Sequence, residues 1–252
     1  MEASLTLIIS LVILGSLVKG LAGFGFGIAA TALLTNYLPA REAVTLMILP
    51  LIAVNIPLIF EAKFSRLEKC LWKYRIFAVS SIIGTLIGFL MIDSFPETVI
   101  AGFIGLMSVL YVFGKQDTLN ISGKDSIVSN CFTFKWYNQS IVGSLAGIAF
   151  GVSNIGLLFV TYLSKVETDH RVFVAVLSSL LLLATGLRAA LSYNAGLYSS
   201  SLLTLSIGLS FVALLTSYAS AKISHKIPEK YLKNFALILI LLAGLRILYS
   251  IA

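Results

Sequence analysis

The sequence predicts an all-α integral membrane protein, polytopic and built from two pseudo-symmetric halves. Three observations predict it: an apolar composition, about eight apolar runs near membrane-spanning length, and a glycine signature that occurs twice. Hydrophobic residues make up 58% of the 252 and charged residues only 12%, with a mean hydropathy of +0.99. Soluble domains carry about 25% charged residues. No soluble fold could hide this much apolar surface.

The net charge of +7 comes from basic residues in short segments between apolar runs, as expected of loops facing an anionic leaflet. Aromatic–basic interleaving is absent, so no nucleic-acid partner is expected; the lipid bilayer is. Cys70 and Cys131 form neither a disulfide framework nor a metal-ligand spacing. The opening Met1-Glu2-Ala3-Ser4 has an acid where a signal peptide would be basic, so the first run is expected to be retained.

Apolar runs cover about 4–38, 43–62, 76–92, 98–114, 138–163, 171–192, 199–221 and 232–250. One crossing needs about 20 residues. The first run would make a helix of about 52 Å, too long even when tilted, and it carries Gly20, Gly23, Gly25 and Gly27 near its middle. Leu21-Ala22-Gly23-Phe24-Gly25-Phe26-Gly27 matches Leu145-Ala146-Gly147-Ile148-Ala149-Phe150-Gly151 at five of seven positions. Phe95-Pro96-Glu97 and Ile227-Pro228-Glu229 each open the last run of a half. The chain therefore reads as one transmembrane domain, 1–252, with repeat 1 at about 1–114, a polar linker at 115–136 and repeat 2 at about 137–252.

Loop charge tests the topology. Eight simple crossings would leave eight Lys/Arg residues inside and seven outside, with almost no bias. If each glycine-bearing run is instead a hairpin that returns to its own side, fourteen fall inside and only Arg41 outside. The turns at Asp93–Glu97 and at 192–196 then share the side of Arg41. Each half becomes a glycine-broken hairpin plus three spans, and the halves are inverted. Inverted repeats with broken helices are a recurrent transporter plan, with the site at the repeat interface. The plainer alternative is that these glycines only allow close helix packing.

Lys19-Gly20-Leu21-Ala22-Gly23-Phe24-Gly25-Phe26-Gly27, followed by an apolar run and echoed in the second half, resembles the sulfite exporter TauE/SafE family of membrane permeases. The resemblance covers nearly the whole chain. It implies a permease for a small anion, a sulfur-containing oxyanion or organosulfonate of the sulfite or sulfoacetate kind, with efflux by alternating access in the cytoplasmic membrane. Family members differ in substrate and direction, and the second copy departs from the motif at Ala149.

Four sets of residues are candidates for handling the anion. Breaks at Gly23, Gly25 and Gly27, and at Gly147 and Gly151, would bare backbone amides at positive helix ends. Lys19 and Arg188 are cations within apolar runs, costly to bury and usually functional there, although Arg188 is close enough to the turn at Tyr193 to snorkel outward. Asn55, between Pro50 and Pro57, could line a kinked helix or only satisfy a carbonyl that a proline frees. Ser153 and Asn154 follow the second glycine motif. Gly20 belongs to the first motif.

All eleven carboxylates and both histidines fall in loops or at span ends, so no midplane proton relay is expected. The anion should move down its own gradient, or carry its proton with it. Neither an ATP-binding loop nor a zinc or serine-nucleophile motif is present, so no catalytic residue, metal ligand or cofactor is expected. The alternatives are an intramembrane enzyme and a non-transporting scaffold subunit; neither would move solute. Monomer and homo-oligomer both stay open.

Overall fold

The computed structural model describes residues 4–22, 25–60, 72, 74–115, 135–166, 170–224 and 229–251. Every regular element among them is helical. In chain order these are α1 (Leu5–Ala22), α2 (Phe26–Thr35), α3 (Ala40–Leu46), α4 (Ile48–Phe60), α5 (Arg75–Met91), α6 (Glu97–Lys115), α7 (Trp136–Ser153), α8 (Leu157–Val166), α9 (His170–Asn194), α10 (Ser200–Ser224) and α11 (Glu229–Ile251). A 3-10 turn, Ile92–Ser94, extends α5.

Five stretches are long and apolar enough to cross a membrane: Ala40–Pro57, Arg75–Ser94, Phe173–Asn194, Ser200–Ile223 and Asn234–Ile251. The first joins α3 to α4 across Met47. Leu5–Gly20, Phe26–Thr35 and Glu97–Phe113 are apolar but shorter. Large side chains such as Leu90, Phe211, Leu215, Leu242 and Tyr249 lie exposed on α5, α10 and α11, as lipid-facing residues would.

The first apolar run is two helices. α1 is described to Ala22, and α2 starts at Phe26 after Gly25, whose φ of 95° lies in the left-handed region that glycine enters without strain. α2 then runs back along α1, so closely that a Cβ at Gly15 would collide with Ala30. α7 and α8 repeat this form. α7 ends at Ser153, Asn154 takes φ 61°, and α8 starts at Leu157. Phe150 meets Phe159 across that turn, with ring centroids 5.7 Å apart. The long arms α1 and α7 have 18 residues each, and the short arms α2 and α8 have ten each.

The expected break at Gly147 and Gly151 is not there. α7 runs unbroken through both, and the turn comes at Asn154. These glycines face α5 instead. A Cβ at Gly147 would strike the Ser81 carbonyl, and one at Gly151 the Thr85 carbonyl. From the other side, Gly84 abuts Ser144 and Gly88 abuts Ile148. Partner positions rise together, so the two helices are parallel along a seam of small residues, the arrangement that lets backbones approach closely. Packing won over breakage here, as the plainer reading of the glycines allowed.

Gly20 has the same role. It lies within α1, and a Cβ there would meet Ser217 and Ser220 of α10. Each long arm is thus gripped by a helix from the other half of the chain. α6 and α11 pack antiparallel, with Gly102 near Ile251 and Gly105 near Leu248. α4 packs on both α9 and α10.

At one end of the bundle Arg41 pairs with Glu97 at 3.3 Å and with Asp93 at 3.9 Å. The turn between α9 and α10 lies near the start of the same span: the Tyr198 hydroxyl donates to Thr45 O at 3.1 Å, and Ser206 Oγ donates to Leu46 O at 2.8 Å.

Candidate functional site

The tips of the two hairpins meet. Gly27, in the first turn of α2, lies so close to the break in the second hairpin that a Cβ would strike the Asn154 carbonyl. Beside this contact is a cavity with about 410 Å³ of empty space, counting what opens to its surroundings. The first hairpin lines it with Lys19 and with Gly25 to Ile28. The second contributes Phe150, Asn154, Gly156 and Val160. Leu51 and Asn55 of α4, Tyr111 of α6, and Leu177 and Leu181 of α9 complete the wall.

Two short arms start at this cavity. The first bond of α2 runs from Ala29 N–H to Gly25 O at 2.9 Å, so the amides of Phe26, Gly27 and Ile28 precede its ladder. The first bond of α8 runs from Val160 N–H to Gly156 O at 3.0 Å. A helix start carries a partial positive charge and bare donors, which suits an anion.

Lys19 adds a full charge. It stands in the last turn of α1, where the helix end favours a cation, and is only 5% exposed. Its Nζ donates to Asn55 Oδ1 at 3.1 Å, while Asn55 Nδ2 donates to Leu51 O at 2.7 Å. The carbonyl that Pro57 frees is that of Ala53, so Asn55 does not serve it. It holds the lysine. Among the described residues the ion pairs are those of Arg41, and Lys19 has no carboxylate partner.

Asn154 connects the far wall. Its Nδ2 donates to Val44 O at 2.9 Å and to Thr31 Oγ1 at 3.3 Å. Its Oδ1 accepts from Arg188 Nη1 at 2.5 Å. Arg188 is fully buried, its guanidinium 5.4 Å from the Phe89 ring centroid and 5.6 Å from that of Phe150. It does not snorkel: α9 continues to Asn194, and the Arg188 side chain stays fully buried.

The candidates therefore separate into groups. Lys19, Gly25, Gly27, Asn55 and Asn154 line one cavity, and Arg188 reaches it through Asn154. Gly20, Gly147 and Gly151 are at helix seams instead. Ser153 turns back on its own helix, its Oγ donating to Ala149 O at 2.6 Å and accepting from Ile155 N–H at 3.3 Å. Gly23 lies outside the described residues. Sequence reasoning missed Tyr111 and Gly156; a lone tyrosine within an apolar run and a glycine two residues beyond Asn154 were the available signals.

A model of the family described as Sulfite exporter TauE/SafE matches residues 7–247. The chain belongs to this family. TauE/SafE proteins are membrane transporters and not an enzyme family, so a small solute and the bilayer are this chain's natural partners. No curated protein and no solved structure matches the chain. In this TauE/SafE chain both helix breaks and the buried Lys19 meet at the one cavity described above.

Proposed function

We infer that this protein is a permease for a small anion, of the sulfite or organosulfonate class its family suggests, working by alternating access in the cytoplasmic membrane. One observation carries the reading: buried Lys19, without a carboxylate partner among the described residues, stands at a cavity where two helices start. A buried cation is costly unless a counter-charge visits it. The substrate anion is that counter-charge. A membrane potential of about 100 mV is worth about 2.3 kcal/mol per charge, and a negative interior favours efflux.

Two inverted halves, each a hairpin plus three spans, are part of the same reading. The starts of the arms support it, Leu5 and Trp136 for the long arms and Phe26 and Leu157 for the short ones, at the same offset of 131 residues. So does the bond from Tyr198 to Thr45, which puts the α9–α10 turn at the Arg41 end. Eight simple crossings would put those two loops on opposite faces, about 30 Å apart.

Sulfite counterflow in proteoliposomes tests the transport claim. Saturable exchange is expected in the native protein, with loss in Lys19→Ala; a protein that moves no anion would end the proposal. Cysteines at Glu42 and Ser199 should label from the same face of the membrane. Labelling from opposite faces would rule out the hairpins while leaving transport intact.

A further inference from the structure

We propose that Arg188 and Ser192 form a second anion station, distinct from the Lys19 cavity and on the outward side of it, which recognises oxyanions by two-point hydrogen bonding. This rests on the permease reading and deepens it. Arg188 lies on the face of α9 that supplies Leu177 and Leu181 to the cavity, seven residues beyond Leu181. That is two helical turns, about 10 Å, toward the α9–α10 turn. Ser192 follows one turn later on the same face. The strip Thr185, Arg188 and Ser192 is fully buried.

Polar groups on this strip await a partner. Arg188 spends Nη1 on Asn154 and the Phe150 carbonyl. Its Nε and Nη2 are buried and have no partner, and neither has Ser192 Oγ. Buried polar groups are almost always satisfied, and a guanidinium is always charged. The rings of Phe89 and Phe150 offset part of its cost, but they cannot satisfy an N–H edge. The Nε–Nη2 edge presents two parallel donors, the fork that fits two oxygens of a carboxylate, sulfite or sulfonate. A hydroxyl four residues on can take a third contact.

Asn154 ties this station to the first. The same side chain holds Arg188, Thr31 of the first hairpin and Val44 of α3. An oxyanion on the Nε–Nη2 edge leaves Nη1 on Asn154, so one guanidinium serves both the bound anion and the bridge between the hairpins.

The test measures binding of sulfite and of bromide to the purified full-length protein, in native form and in Arg188→Lys, Ser192→Ala and Lys19→Ala. A lysine keeps the charge but not the fork. Arg188→Lys is expected to weaken sulfite at least tenfold while bromide changes less than twofold, a selectivity shift that a merely structural arginine would not produce. Ser192→Ala should weaken sulfite by about fivefold, the value of one hydrogen bond, and it decides the matter if the arginine variant fails to fold. An unchanged sulfite-to-bromide ratio in both variants, with sulfite still lost in Lys19→Ala, overturns the second station alone. A native protein that binds neither anion overturns the permease reading and this station with it.

Discussion

The two hairpins share a backbone plan and differ in chemistry. Each has a long arm, a break and a short arm, with 18 and ten residues described in the arms of both. The first breaks at glycine, with Gly25 at φ 95°, and brings a lysine to its tip. The second breaks at Asn154, the one non-glycine residue at positive φ among those described. Asparagine tolerates that conformation better than most residues, and here its side chain is fully occupied in wiring four elements together. One tip offers charge and bare amides; the other offers a polar latch. On the permease reading proposed above, the first tip serves binding and the second serves as the latch.

Lys19→Met should break that division most severely. Anion exchange is expected to fall about 10- to 100-fold, the range of a charge-assisted hydrogen bond. Thermal stability should hold or rise, because a buried charge without a carboxylate partner is removed. A variant that unfolds would make Lys19 a structural residue and end the distinction between the tips.

Gly20→Leu and Gly151→Leu probe what the hairpins share. Both glycines sit at a seam with a helix of the other half, and each larger side chain should cost about 1–3 kcal/mol. Melting in detergent would show it. Similar losses sharpen the equivalence of the two frames; a loss in only one would break it.

The smallest effect expected is the difference between Asn154→Gly and Asn154→Ala. Both remove the latch. Only alanine also pays for the left-handed backbone, so it should be about 1–2 kcal/mol less stable. Equal stabilities would mean that the turn relaxes and the conformation at Asn154 is incidental.

Composition and the length of the apolar runs made the all-helical membrane fold legible, and the first break was legible because the motif includes Gly25, the glycine that takes positive φ there. The second break was not. The Leu-Ala-Gly match pairs Leu21 with Leu145, an offset of 124 residues, whereas the arms themselves are offset by 131, from Leu5 to Trp136 and from Phe26 to Leu157. In the arm register Gly20 meets Gly151 and Gly25 meets Gly156. The motif thus aligned a break with a helix interior, where Gly147 is held by Ser81. A glycine says only that a side chain is unwelcome; whether the reason is a turn or a neighbouring backbone is tertiary information. Lys19 and Asn55 were both legible as polar intruders, but their mutual bond was not, since it joins residues on different helices.

The seam between α1 and α10 has a consequence for biosynthesis. α10 begins about 180 residues after α1 ends, so at about 5–20 residues per second the ribosome needs roughly 10–40 s to deliver it. During that interval the glycine face at Gly20 has no cognate cover, and the first hairpin must wait in the translocon or the lipid as an unfinished guest. Insertion of the nascent chain, rather than folding of the finished one, is therefore the stage at which a bulky residue at Gly20 would do most harm.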